Sequence, residues 1–314
     1  MTGSRVTRIR VGLQLIGDQV LDPVPSARAA EDAGFDIVLV ADHIGATRHA
    51  PMVNLAAIAG TTERIRLGTY VLNNDMRHPV QLAWEATTLD RLSGGRFELG
   101  LGAGHTPHEY TEVGITLDPP GVRKARLREA VEIIRPLLDG ETVDFEGEHY
   151  RIEAASVIPA EQDRLPILVG SQGRVVLRHA GEHADGVGLM GLGKTLPDGH
   201  QHTVSWATDR LDQQVGHVRE GAAGHDRTVD LSALVQVCEV TDDRSAALAA
   251  VIDDEIGLTA EVAATAPYVA VGTVDEIAAH FRTGHDRWGI TTYVVRCPDR
   301  DAIDTFAPVI AALR

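Results

Sequence analysis

The sequence predicts an α/β protein of the (β/α)8 TIM barrel class with short insertions, and three observations carry that prediction. Short β-branched or apolar runs alternate with helical segments along nearly the whole chain, as repeated βα units around a parallel sheet require. Eight such runs can be counted, each followed by a helical stretch, which suits a closed barrel better than the competing Rossmann-like, doubly wound sheet. The chain has 314 residues, and barrels of roughly 250 residues or more occur as single units. Residues 1–314 therefore read as one domain.

Taken in order, the strand candidates are Ile9–Gln14, Ile37–Val40, Ile65–Val71, Phe97–Leu101, Ile167–Val169, Gly186–Leu189, Leu231–Val240 and Thr291–Val295. Prolines open and glycines close the helices between them: Pro25–Ala33 stops at Gly34, Pro79–Leu92 at Gly94-Gly95, and Arg123–Leu138 at Gly140. Leu55–Thr61 is a shorter helix. Arg174–Gly181, Val204–Glu220, Arg244–Ala266 in one or two pieces, Val274–Trp288 and Ala302–Arg314 complete the series. Two segments interrupt the rhythm. Glu141–Val157 reads as a surface hairpin around Gly147, and the glycine-rich stretch Gly188–Thr203 reads as a loop over the strand ends.

Composition excludes several function classes. A hydrophobic content of 44% with 24% charged residues describes a globular chain with a large core. Lys and Arg total 29 against 45 Asp and Glu, a net charge of -16, which repels a nucleic-acid backbone. The N-terminus alternates charged and apolar residues instead of presenting a signal peptide, and no membrane span is expected. Two cysteines, Cys238 and Cys297, are too few for a disulfide framework or a cysteine metal site, and fit a reducing cytoplasm.

In a barrel, chemistry sits where the strands end at their C-terminal side. The polar residues placed there are Asp42-His43 after the second strand, Asn73-Asn74-Asp75 after the third, Gly102 to Glu109 after the fourth, and Gly170-Ser171-Gln172-Gly173 after the fifth. An imidazole at His43 suits proton transfer near neutral pH. The glycines at 100, 102 and 104 lack the third glycine and distal acid of a dinucleotide fingerprint. Gly170–Gly173 closes a strand and opens a helix, presenting backbone N–H groups and a positive dipole end to a phosphate. His105 with His108, and His179 with His183, have metal-ligand spacings, but no HExxH motif is present and the second pair reads as a polar helix face; no metal is expected.

The segments VADH, LGTYVLNNDMRHP, DRLSGGRFELGLGAGHTPHEY, LPILVGSQGRVVLRHAGEHADGVGL and VGTVDEIAAHF resemble the luciferase-like flavin family over roughly residues 8–295, and within it the actinobacterial branch that uses coenzyme F420. The resemblance implies an F420-dependent oxidoreductase acting on a small-molecule substrate, a homodimer, and an acid/base role for His43. It places Asp42, Tyr70, Val71, Asn73, Ala103, Gly104, His108, Glu109 and Gly170 to Gly173 around the cofactor, with a non-proline cis peptide at Tyr70-Val71. His105 stands where some deazaflavin sugar dehydrogenases carry a glutamate, which argues against a sugar-phosphate activity and leaves His105 as a second proton donor. Two alternatives stay open: an FMN-dependent monooxygenase on the same barrel, and a non-catalytic flavin-binding barrel.

Overall fold

A computed structural model of the protein describes residues 8–16, 22–45, 49–195, 202–225, 228–252, 258–297 and 299–314. The barrel strands are β1 (Arg10–Gln14), β2 (Ile37–Val40), β3 (Arg66–Thr69, resumed as Leu72–Asn73), β4 (Phe97–Gly102), β5 (Ile167–Gly170), β6 (Gly186–Leu189), β7 (Asp230–Leu234) and β8 (Ile290–Val295). Each pairs in parallel with its sequence neighbours, and β8 returns to β1 with Val11 opposite Tyr293. Closure leaves the barrel sheet no open edge.

Helices α1 (Pro23–Ala33), α2 (Pro51–Ala59), α3 (Pro79–Leu92), α4 (Pro107–Glu112), α5 (Pro120–Leu138), α6 (Arg174–His183), α7 (Thr208–Ala222), α8 (Arg244–Val251), α9 (Ala260–Thr265), α10 (Val274–Trp288) and α11 (Arg300–Ala312) connect them. The expected punctuation is present: proline lies in the first turn of α1 and α3, and Gly34 ends α1 at φ 88°. Among the described residues no helix is long and apolar enough to cross a membrane.

The period-two alternation of each strand produces two apolar layers. Ile37, Leu39, Tyr70, Leu234 and Val294 point inward and fill the barrel, whereas Val38, Leu99, Ile167 and Val187 point outward against the helices. Two expectations change. The run Leu231–Val240 is two strands, because Gln236 and Val237 both donate their N–H groups to the carbonyl of Tyr268, and Val237–Val240 leaves the barrel to pair with Val269–Gly272. Val204 belongs not to a helix but to the strand His202–Val204, which pairs antiparallel with Leu192–Thr195 in the glycine-rich segment; residues 196–201 of that expected loop lie outside the described residues. The hairpin expected around Gly147 is present as Val143–Glu146 against Arg151–Ala155.

The N-terminal end of the barrel is closed by charge. Glu98 of β4 accepts from Arg10 Nη2 at 2.7 Å and Arg66 Nε at 2.5 Å. Burial alone would raise the Glu98 carboxyl, but the two guanidinium groups outweigh it and hold the group below its ordinary value. Its contribution to stability is therefore in place above the ordinary carboxylate pKa and is lost as pH falls through the lowered value. Glu98→Gln should cost about 3 kcal/mol, because it strands two partly buried cations. It should also flatten the acid limb of the stability–pH curve. Thermal denaturation between neutral and acid pH checks this, and an unchanged midpoint with an unchanged acid limb would remove the network from the account.

Candidate active site

At the opposite, C-terminal end of the strands lies a cavity of about 780 Å³. Its floor begins with a fault in β3. Gly68 lies opposite Glu98 and Leu72 opposite Leu101, so four steps on β3 match three on β4 and one extra residue bulges out. The bulge contains Tyr70 and Val71, and their peptide bond is cis. The Tyr70 ring drops into the barrel, where its hydroxyl meets Ser232 Oγ at 3.0 Å and burial raises the phenol above its ordinary value. Val71 lies among glycines that leave it room: a Cβ on Gly102 would sit 2.7 Å from Val71 Cγ2, and one on Gly170 would sit 3.1 Å from both of its methyls.

Asp42 holds the chain as it leaves the bulge. Its Oδ2 accepts the N–H of Asn73 at 2.9 Å, and its carboxylate is gripped by both terminal nitrogens of Arg77. Three of its roughly four acceptor positions are thereby occupied within the protein. Asn73 Oδ1 accepts from the backbone of Asp75 at 3.1 Å and from the Tyr110 hydroxyl at 3.3 Å, which orients the amide. Its Nδ2 is buried without a hydrogen-bond partner, and the residue lines the cavity.

Glu109 arrives on α4, a one-and-a-half-turn helix opened by Pro107 that is not among the expected helices. Its carboxylate, 3% exposed, meets His43 Nδ1 at 2.6 Å. A carboxylate partner makes Nδ1 the protonated nitrogen of the neutral ring and leaves Nε2 for the cavity. His105 lies beside it, with ring centroids 5.9 Å from His43 and 4.4 Å from His202 of the antiparallel hairpin. His105 keeps an open face, yet burial of its ring, His202, His43 and Arg123 all push its basicity down, so the imidazole is neutral at neutral pH. Gly104 turns the loop at φ 72°; a Cβ there would sit 2.2 Å from the Tyr110 hydroxyl. Arg123 of α5 locks the same turn by donating to the carbonyls of Gly104 and Asp118.

Across the cavity, Gly170 to Gly173 lead into α6, whose N-cap is Gly173. The loop is braced by the Gly173 N–H donating to Ser171 Oγ at 3.3 Å. Two cations flank it. The Lys124 ammonium of α5 would be 3.3 Å from a Cβ at Gly173, and Arg210 of α7 donates to Gln172 Oε1 at 2.7 Å. N–H groups, a helix dipole and two cations together suit a phosphate.

Of the residues that the sequence places at the site, Asp42, His43, Tyr70, Val71, Asn73, Ala103, Gly104, His105, Glu109 and Gly170 to Gly173 all line this cavity. His108 does not: one position from Glu109 on α4, it faces outward and pairs with Glu112 at 3.1 Å. The reading missed Arg123, Lys124 and Arg210, which come from helices and carry no strand-end signal. It also missed Gln14, Gln236 and Arg296, where Arg296 donates to Gln14 Oε1 at 2.7 Å and Gln236 Oε1 at 3.0 Å. Applying the strand-end rule to β1 and β8 would have found Gln14 and Arg296.

The family model described as luciferase-like monooxygenase matches residues 6–289. An F420-dependent glucose-6-phosphate dehydrogenase of Nakamurella multipartita is 39% identical over 167 residues, 51% of this chain and 49% of that protein, so the chain spans about half the length of this curated relative. Among solved structures, the coenzyme F420-dependent tetrahydromethanopterin reductase of Methanopyrus kandleri superposes with a TM-score of 0.77 at 24% identity, covering 98% of this chain and 100% of that one. An F420-dependent secondary alcohol dehydrogenase gives 0.78 at 21% identity, covering 98% and 99%. At these identities the two structures establish the fold, an eight-stranded α/β barrel. Matched by the family model over nearly its whole length, the chain belongs to the luciferase-like monooxygenase family.

Proposed function

We propose that the chain is a coenzyme F420-dependent oxidoreductase that moves a hydride between C5 of the deazaflavin and a small organic substrate. The observation that carries this reading is the placement of a carboxylate-held imidazole, His43 on Glu109, in one cavity with a cation-flanked phosphate cradle. The F420-dependent relative of Nakamurella multipartita supports the choice of deazaflavin. Bound F420 supplies a carbon centre that accepts or gives a hydride and reacts poorly with oxygen, which makes the activity a dehydrogenase or reductase.

The residues divide the remaining work. The Gly170–Gly173 loop, Lys124 and Arg210 would hold the cofactor's phosphate, and Val71 and Asn73 would line the place of its ring. Asp42 keeps Asn73 and the bulge in place. His43 Nε2 takes the substrate's proton in oxidation and returns it in reduction, and Glu109 steadies the imidazolium that forms. The neutral His105 is a second proton carrier beside it. The relative's sugar-phosphate substrate is not carried over, since His105 replaces the glutamate that such dehydrogenases are expected to have there. We place the protein in the cytoplasm as a homodimer of one-domain chains, joined through α2 and α3, where Val53, Trp84 and Leu92 are 68%, 59% and 65% exposed.

Fluorescence titration should give tight binding of F420 and none of FMN; preference for FMN would replace this reading with a monooxygenase. Lys124→Ala with Arg210→Ala should weaken F420 binding at least about a hundredfold, each lost charged contact being worth about 1.5–3 kcal/mol. With a panel of small alcohols and carbonyl compounds, His43→Ala should lower kcat about 10²–10⁴-fold while F420 affinity changes little. Glu109→Gln should lower kcat by a smaller factor. Unchanged turnover in His43→Ala would leave a binding barrel as the better description. Light scattering should give a dimer mass for the wild type and a monomer mass for Trp84→Glu; a monomeric wild type would contradict the assembly.

A further inference from the structure

Helices α5 and α6 pack side by side on the outside of the barrel and bring together three side chains that the cavity does not use. His179 and His183, four residues apart on α6, share one helix face, and their ring centroids lie 4.4 Å apart with planes inclined by 36°. Glu132 of α5 reaches across so that its Oε1 meets His179 Nε2 at 2.9 Å. One ligand atom from each of the three lies within 4.8 Å of the other two. The sequence offers the histidine pair only as a polar helix face; the fold adds a carboxylate from a second element.

We propose that Glu132, His179 and His183 form a site for a divalent transition-metal ion of borderline softness, zinc or nickel, with water in the remaining coordination positions. Imidazole and carboxylate are suitable ligands for such ions. A tetrahedral ion with ligand bonds of about 2.0–2.1 Å holds its ligand atoms about 3.3 Å apart. That spacing falls within the observed range, so small side-chain rotations suffice. Arg128 opposes a cation here, while Glu132 and Glu182, whose Oε2 lies 3.7 Å from His183 Nε2, favour one. The ion would pin α6 to α5 about two turns below Gly173, and so brace the helix whose N-terminus forms the cradle.

The test uses tag-free full-length protein stripped with a chelator and titrated calorimetrically with zinc chloride at neutral pH. One ion per chain should bind with a Kd on the order of 1–10 μM, weaker than a four-ligand structural site. Zinc at about a hundredfold excess over Kd should raise the thermal midpoint by roughly 5 °C. His183→Ala and Glu132→Gln, both on the surface and checked for an unchanged circular dichroism spectrum, should each weaken binding at least tenfold. The chain has 14 histidines, so binding of several ions, or binding unaltered in both variants, would assign the metal to scattered surface imidazoles and overturn the proposal. The absence of both binding heat and a thermal shift, with zinc and with nickel chloride, would overturn it equally.

Discussion

The grip of Asp42 on the chain leaving β3 is the interaction on which the cavity depends. The carboxylate takes the N–H of Asn73 and both ends of the Arg77 guanidinium, at the point where β3 has gained one residue on β4. A bulge alone would let the following turn wander. With Asp42 in place, Val71 stays among the glycines of β4 and β5, and the Asn73 amide oxygen is held by Asp75 N–H and the Tyr110 hydroxyl. Asp42 thus reads as a positioning group more than as a cofactor ligand, since most of its acceptor capacity is spent inside the protein.

The two ends of the barrel divide stability from chemistry. At the N-terminal end, Asp90 accepts from Glu161 N, Gln162 N and Gln162 Nε2 at 2.7–3.0 Å, and Arg96 donates to the carbonyls of Ala59, Thr62, Ile65 and Ser93. Asp185 gathers Arg135, Arg164 and the N–H of Ile167. These residues belong to the same motifs that carry the family resemblance, DRLSGGRFELG and HADGVGL, yet they only tie helices and loops to strand starts. At the other end, Asn73 Nδ2, Asp75 Oδ1 and Thr106 Oγ1 are buried without a hydrogen-bond partner.

Alternating strand and helix patterns made the barrel legible because apolar periodicity, proline at helix starts and glycine at helix ends each report local geometry. Ile37–Val40, Gly186–Leu189, Pro79–Leu92 and Val274–Trp288 match their expected bounds. The break after Leu234 was invisible because the departing strand Val237–Val240 is as β-prone as the barrel strand, and only the Tyr268 carbonyl, some thirty positions on, diverts it. The site followed the same division. His43 and the Gly170–Gly173 loop could be placed from strand ends, whereas Lys124 and Arg210 approach from two helices whose meeting is a tertiary fact. His108 lies off the cavity because Pro107–Glu112 is a helix, on which Glu109 and His108 point about 100° apart.

The proposed function would place a planar, phosphate-bearing cofactor over Val71, with its phosphate at the N-terminus of α6 and His43 beside it. The most direct measurement is a crystal structure of the protein with F420 bound. The account predicts ring density over Val71 beside His43, with phosphate density at Gly170–Gly173 between Lys124 and Arg210. Cofactor density elsewhere on the barrel, or a phosphate that bypasses this loop, would contradict it.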